Sequence, residues 1–209
     1  PHKVLPIKID NFCKKNKIDR NKFIILLPGR LTQWKGQKVF IEGIKLLKEK
    51  DNTQSFECVI LGSEQGRNVY KKQLVGLVQQ HNLNNIIKFI DNCDEMPIAY
   101  KFANLVCSTS IEPEAFGRVA VESQAMEVPI LASNIGGSKE TIIDNKTGFF
   151  FKNGNSQDLA EKIFMIMQKD YNSLKFIGSE GRKNILKKFD VDKMCQTTFT
   201  EYNKLVQFK

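Results

Sequence analysis

Six short stretches of this chain read as apolar throughout rather than at alternate positions: "FIILLPG" (23–29), "SFECVILG" (55–62), "IIKFI" (86–90), "LVCST" (105–109), "PILAS" (129–133) and "GFFF" (148–151). A strand with no polar face must be covered on both sides, which is the habit of parallel sheets. Between these stretches the periodicity changes to that of helices. Phe40, Ile44 and Leu47 share one face of 36–50, and Tyr70, Leu74, Leu77 and Val78 mark the helix after the second strand. Shorter helical patterns lie near 95–103, 117–127 and 138–143. After 156 the chain reads as wholly helical, in three segments ending near Asp170, Phe189 and Val206. The expectation is a three-layer α/β fold, with a parallel sheet of about six strands and a helical C-terminal segment, forming a single domain over 1–209. Such sheets bind ligands beyond the carboxyl ends of their strands, so the loops that follow each strand carry the information.

Composition narrows the function classes. With 41% hydrophobic residues and 15 Phe, the chain can bury a core. No apolar run approaches a membrane span, and no signal peptide opens the sequence. It begins at Pro1, so it reads as a piece of a longer protein. The five cysteines (Cys13, Cys58, Cys93, Cys107, Cys195) form no C-x-x-C pair, which argues against a zinc ribbon or a disulfide framework. Cys58 and Cys107 are expected to be buried free thiols, in keeping with a reducing cytoplasm. Residues 1–50 hold 13 Lys/Arg against 4 Asp/Glu, while the rest of the chain is balanced. That basic end suits an anionic partner or surface, or else simply solvated helix faces. Nucleic acid is not expected, because no binding motif and no aromatic-basic interleaving is present.

After the first strand comes "GRLTQWKGQ" (29–37). Gly29 lets backbone approach a ligand, and Arg30 and Lys35 place two cations just before a helix start near Gly36. Cations with a helix N-terminus make an anion site, most naturally for phosphate. The turn "GSEQG" (62–66), with Gly62, fits neither the dinucleotide fingerprint nor the P-loop. It reads equally as a simple glycine turn or a point of ligand contact.

The segment "EPEAFGRVAVE" (112–122) sets three glutamates in core-like sequence. Pro113 keeps Glu112 extended, and a helix begins at Gly117. Val119, Val121, Ala125 and Met126 then form one apolar arc with Glu122 at its centre, so Glu122 is expected to point inward. A buried carboxylate needs partners. Two remain open: Arg118, four residues earlier, or the hydroxyls of a ligand. Glu114 lies in a loop beside the backbone N–H groups of Ala115, Phe116 and Gly117. That combination suits a polyhydroxylated ligand or, more plainly, a helix N-terminus. "SNIGGSKE" (133–140) supplies a further close-approach turn at Gly136 and Gly137, expected to converge on the same crevice.

The ordered set "GRLTQWKGQ", "VILGSEQG" and "EPEAFGRVAVESQAMEVPILASNIGGSKETIIDNKTGFFF" resembles the C-terminal, donor-binding half of retaining glycosyltransferases with the GT-B fold, family 4 of the usual classification. The order G-R-L-x-x-x-K-G, E-x-F-G-x-x-x-x-E, G-G-x-x-E carries the likeness, over residues 20–190 or so. The resemblance implies a Rossmann-like domain that binds a nucleotide-diphosphate sugar, in the service of lipopolysaccharide, capsule or a related cell-envelope glycan. By position, Arg30 and Lys35 resemble the pair that holds the diphosphate and stabilises it as it leaves, with no metal and no other cofactor. Glu122 resembles the carboxylate that binds ribose hydroxyls. Glu114 resembles the first motif glutamate, beside the transferred sugar, with N–H groups of Phe116 and Gly117 assisting. Phe89–Asp91, centred on Ile90, resembles the base-reading loop. Gly29, Gly62, Ala115 and Val119 complete the implied donor site.

The implied reaction is glycosyl transfer with retention. It proceeds by front-face attack or through Glu114 as nucleophile. Three departures stand out. Glu127 occupies a usual glycine position, so the end of its helix is expected to be altered. Asn134 replaces a frequent aspartate. His2 and His81 match no family position, and the half that would bind a glycan or lipid-linked acceptor is not in this sequence, so turnover by this chain alone is not expected. The implied location is cytoplasmic, with peripheral contact at the cytoplasmic membrane face. A nucleotide-sugar epimerase half and a non-catalytic binding module are the alternative readings.

Overall fold

A computed structural model describes residues 4–50, 55–66 and 68–206. Strands β1 (Phe23–Pro28), β2 (Phe56–Leu61), β3 (Ile87–Ile90), β4 (Leu105–Ser108), β5 (Ile130–Ser133) and β6 (Phe149–Phe151) form one sheet in the order β3-β2-β1-β4-β5-β6, with every pairing parallel. The helices are α1 (Pro6–Lys15), α2 (Gln37–Lys50), α3 (Asn68–Gln80), α4 (Met96–Phe102), α5 (Arg118–Ala125), α6 (Ser138–Thr141), α7 (Ser156–Met167), α8 (Tyr171–Lys188) and α9 (Val191–Val206). His2 lies outside the described residues.

The two-sided burial expected of the strands is visible residue by residue. In β1, Ile25 and Leu27 enter a core that includes Phe40, Ile44 and Leu47 of α2, Leu74 of α3 and Leu159 of α7. Ile24 and Leu26, one residue out of phase, enter the opposite core with Tyr100 and Phe102 of α4 and Ala120 of α5. Side chains alternate across a strand, so a strand between two helical layers must be apolar at both parities. Cys58 and Cys107 are buried free thiols, as is Cys13. Burial pushes the Cys58 and Cys107 thiols up, Cys58 well above its ordinary value.

Two charges break the apolar reading of the strands. Glu57 of β2 is only 3% exposed, and its carboxylate is met at 2.6 Å by Lys88 Nζ from the adjacent strand β3. Both residues sit on one face, since Ile24 opposes Glu57 and Val59 opposes Lys88 in the register. A buried carboxylate survives there because its cation comes from the neighbouring strand.

The chain turns back at β1. It adds β2 and β3 to one side, then crosses to place β4 on the other. The carboxyl ends of β1 and β4 therefore open a crevice at the point where the strand order reverses. The loops after these strands are locked together. Gly36, with φ +69°, brings its backbone so close to Thr109 that a Cβ would lie 1.9 Å from the Thr109 carbonyl oxygen. Thr109 Oγ1 donates to the carbonyls of Lys35 and Gly36, and the Ile111 N–H donates to the Trp34 carbonyl.

Candidate functional site

The crevice is a cleft of about 600 Å³. Gly29, Arg30, Lys35, Glu114, Ala115, Phe116, Gly117, Val119 and Glu122 all line it, so the loop after β1 and the segment from Glu112 to Glu122 meet as expected. Trp34, Pro113 and Arg118 complete its wall.

A short 3₁₀ turn, Gln33–Lys35, delivers Lys35 to the cleft before α2 begins. Lys35 Nζ lies 2.8 Å from Glu114 Oε1 and 4.4 Å above the Trp34 ring. Ser110 Oγ donates to the same Glu114 oxygen at 2.5 Å. One carboxylate oxygen thus takes both donors, while Lys35, with three N–H bonds, keeps donors in hand. Arg30 is exposed and pairs with no carboxylate among the described residues. Its carbonyl is held by Gln37 Nε2 at 2.8 Å, and Tyr70 O–H in turn donates to Gln37 Oε1. Burial raises the Tyr70 phenol to about 12.

The backbone N–H groups of Ala115, Phe116 and Gly117 donate to no acceptor among the described residues. Gly117, at φ +75°, caps α5, so free donors cluster at a helix N-terminus beside the cleft. With Arg30 and Lys35 opposite, the arrangement attracts an anion.

Glu122 is placed differently from the periodicity reading. The buried face of α5 is Ala120, Ser123 and Gln124; of the expected arc only Met126, just past the helix, is buried, while Val119, Val121 and Ala125 are half-buried. Gln124 Nε2 donates to the Ala120 and Thr141 carbonyls, and Ser123 Oγ donates to the Val128 carbonyl. Small and hydrogen-bonded side chains let α5 sit close to its neighbours, where bulkier apolar ones would hold it off. Gly181 of α8 packs on Gln124 at the same face. That rotation puts Glu122 on the rim of the cleft, with its side chain 41% exposed. Arg118 is a loose partner, 3.8 Å away and 84% exposed. The firm partner is Tyr100, whose O–H donates to Glu122 Oε2 at 2.6 Å.

Gly62 and Ile90 are not part of this cleft's wall. A Cβ at Gly62 would lie 1.9 Å from the Gly29 carbonyl oxygen, so the glycine serves strand-end packing. Ile90 is buried and accepts from the Gly62 N–H. The Gly136–Gly137 turn also faces away from the cleft: Cβ atoms there would collide with the backbone of Glu114 and Phe116. Gly137 N–H donates to the Glu114 carbonyl, so this turn buttresses the Glu114 loop from behind.

Nor is the end of α5 altered by Glu127. Val128 N–H donates to the Ser123 carbonyl and Glu127 N–H to the Gln124 carbonyl, the paired bonds of a Schellman cap. Glu127 adopts φ +61° at the glycine-favouring position, and its carboxylate lies 3.5 Å from Lys101 and 3.9 Å from Arg182. His81 is remote, paired with Glu42 at 2.9 Å.

Sequence reasoning missed Ser110, Trp34, Gln37 and Tyr100. Trp34 and Gln37 lie in the loop stretch 29–37 already singled out, and Ser110 sits just before 112–122, so polar and aromatic side chains beside those cations and carboxylates were the available signal. Tyr100 carries no local signal, since it looks like an ordinary helix residue.

Residues 8–184 match the model of a family described as glycosyl transferases group 1. A glycosyltransferase of Rickettsia africae ESF-5 superposes with a TM-score of 0.90 at 32% identity, over 99% of this chain and 54% of that one. Anabaena HepE, crystallised in complex with UDP and glucose, gives 0.86 at 26% identity, over 96% of this chain and 53% of that one. The capsular polysaccharide biosynthesis glycosyltransferase CapM of Staphylococcus aureus is 27% identical over 93% of this chain and 49% of its own length. The chain spans about half the length of these relatives, and its sheet and helices correspond to one half of a GT-B fold.

Proposed function

The chain belongs to the glycosyl transferases group 1 family, and on that premise we propose that it is the nucleotide-sugar-binding half of a retaining glycosyltransferase. The observation that carries the reading is the cleft at the β1/β4 switch point. Two cations, two oriented carboxylates and a row of free N–H groups converge there. A diphosphate sugar needs such a set. Arg30, Lys35 and the N–H groups of Ala115, Phe116 and Gly117 take the phosphate oxygens. Glu122 accepts from the ribose hydroxyls and Glu114 from the sugar.

In the reaction, the bond from the sugar's anomeric carbon to the diphosphate oxygen breaks, and an acceptor hydroxyl oxygen takes its place on the same face. The acceptor's proton passes to the departing phosphate. Charge grows on the leaving group, and fixed cations and N–H dipoles that need no rearrangement stabilise it best. No metal or cofactor is required by this scheme. Lys35 and Ser110 both sit on Glu114 Oε1, which leaves Oε2 to accept from a sugar hydroxyl, and front-face attack asks no more of Glu114 than that it hold the sugar.

The acceptor is a glycan or a lipid-linked saccharide bound largely outside this chain, in the part of the relatives that it does not span. The likeness to a capsular polysaccharide enzyme supports a role in cell-envelope polysaccharide synthesis. Among the described residues no helix is long and apolar enough to cross a membrane. The exposed Lys14 and Lys15 at the end of α1 suit peripheral contact with an anionic membrane face of the cytoplasm.

Calorimetric titration of this chain with UDP, GDP and ADP, free and as their sugars, tests the reading. At least one should bind with micromolar to millimolar affinity. Binding by none of them, with the fold intact, would overturn it.

A further inference from the structure

Tyr100 is 2% exposed, far deeper in the fold than the cleft it serves. It stands on α4 between Ala99 and Phe102, both in the core that includes Ile24, Leu26 and Val106. Its hydroxyl donates to Glu122 Oε2 at 2.6 Å and to nothing else among the described residues. The acceptor, by contrast, lies on the rim of the cleft and is 41% exposed. A buried phenol is thus joined to a cleft carboxylate on a different helix.

We propose that Tyr100 is a positioning residue for ribose recognition. It fixes the Glu122 carboxylate so that Oε1 and the remaining lone pair of Oε2 face the two vicinal hydroxyls of the nucleotide. This deepens the donor-site reading above and rests on it.

An exposed glutamate samples many rotamers, and only a few present both oxygens to a diol. Arg118 cannot select among them, because it is 3.8 Å away and itself 84% exposed. Tyr100 can, because its own ring is held by the core. The chemistry of the donor matters as well. A neutral hydroxyl orients the carboxylate while leaving its negative charge for the ligand, whereas a close lysine would neutralise it. Burial, and then the Glu122 charge, push the Tyr100 phenol upward, so it remains a donor at every pH the protein meets. Removing the hydroxyl leaves the Glu122 carboxylate partly in water, so the fold loses little while the orientation is lost.

The test uses the Tyr100→Phe variant of this chain. By calorimetry, the parent and the variant are titrated with whichever of UDP, GDP and ADP the parent binds, and with its 2′,3′-dideoxy counterpart. The parent is expected to prefer the ribose form. Y100F should narrow that preference by on the order of tenfold, through weaker binding of the ribose form alone. Affinity for the dideoxy form and the melting temperature should stay near those of the parent, an outcome that a merely structural tyrosine would not give. In Glu122→Gln the preference should also narrow, and adding Y100F should cost nothing more. An unchanged preference in Y100F, a parent that does not discriminate, or additive losses in the double variant would each overturn the proposal while leaving diphosphate binding in place. A parent that binds no nucleoside diphosphate would overturn the donor-site reading itself.

Discussion

Lys35 and Glu114 meet across the cleft, Nζ to Oε1 at 2.8 Å, with each side chain less than a fifth exposed. The lysine comes from the loop after β1 and the glutamate from the loop after β4. The ion pair therefore joins the two strands that flank the switch point. It also stores the cation at the place where the proposed diphosphate arrives, with N–H bonds to spare.

Replacing Lys35 by Met should weaken a nucleoside diphosphate by about 1.5–3 kcal/mol, the worth of a charge-assisted hydrogen bond. The free nucleoside should bind as it does to the parent. Paired titrations of diphosphate and nucleoside check this, and equal losses for both would remove Lys35 from the phosphate site.

Glu122→Ala should act on the other end of the ligand and also on the fold. It removes the proposed ribose acceptor and leaves the Tyr100 hydroxyl buried without a partner, at a cost of about 1–3 kcal/mol. Urea denaturation should show that loss. Pyrophosphate affinity should be unaffected.

Lys88→Met strands the Glu57 carboxylate, which is 4% exposed as a side chain. Breaking a buried pair from one side typically costs about 3–5 kcal/mol. Adding Glu57→Leu to the same protein should restore most of that loss. A double variant no more stable than K88M would show that the pair is not what holds these strands.

Glu127→Gly should stabilise the chain. The left-handed conformation costs a non-glycine residue about 1–2 kcal/mol, and the two long contacts to Lys101 and Arg182 offset little of it. A net gain of about 1 kcal/mol corresponds to a rise in Tm of roughly 2–4 °C for a chain of this size. A lower Tm would mean that those cations hold the end of α5 more firmly than their distances suggest.

Gly36→Ala should be severely destabilising. Its Cβ would fall 1.9 Å from the Thr109 carbonyl oxygen at a backbone φ of +69°. The loops after β1 and β4 would have to separate, so nucleoside diphosphate binding should disappear even in any fraction that folds.

Much of this architecture was legible in the sequence because it depends on local pattern. A strand buried on two faces must be apolar at both parities, so the six runs announced a parallel sheet. The switch from that pattern to helical spacing marked where each loop begins. Since ligands meet such sheets at strand carboxyl ends, Gly29 to Lys35 and Glu112 to Glu122 were legible as cleft segments from the sequence alone. Gly136 and Gly137 were misread, and Gly62 was left open, for a related reason. A glycine shows that backbone comes close to something, and the sequence does not say whether that is a ligand or another strand end.

The rotation of α5 and the partners of its glutamates belonged to the tertiary structure. Hydrophobic spacing turned Glu122 inward. The packed helix instead buries Ala120, Ser123 and Gln124, because close approach to α8 and α6 rewards small and internally hydrogen-bonded side chains over bulky apolar ones. Tyr100 on Glu122 and Lys35 on Glu114 join residues distant in the chain, and periodicity has no view of such pairs. The sequence by itself determined which segments reach the cleft, because strand, helix and loop are settled by neighbours along the chain. Only the folded arrangement decided how each carboxylate is aimed, because aim depends on donors brought from other layers.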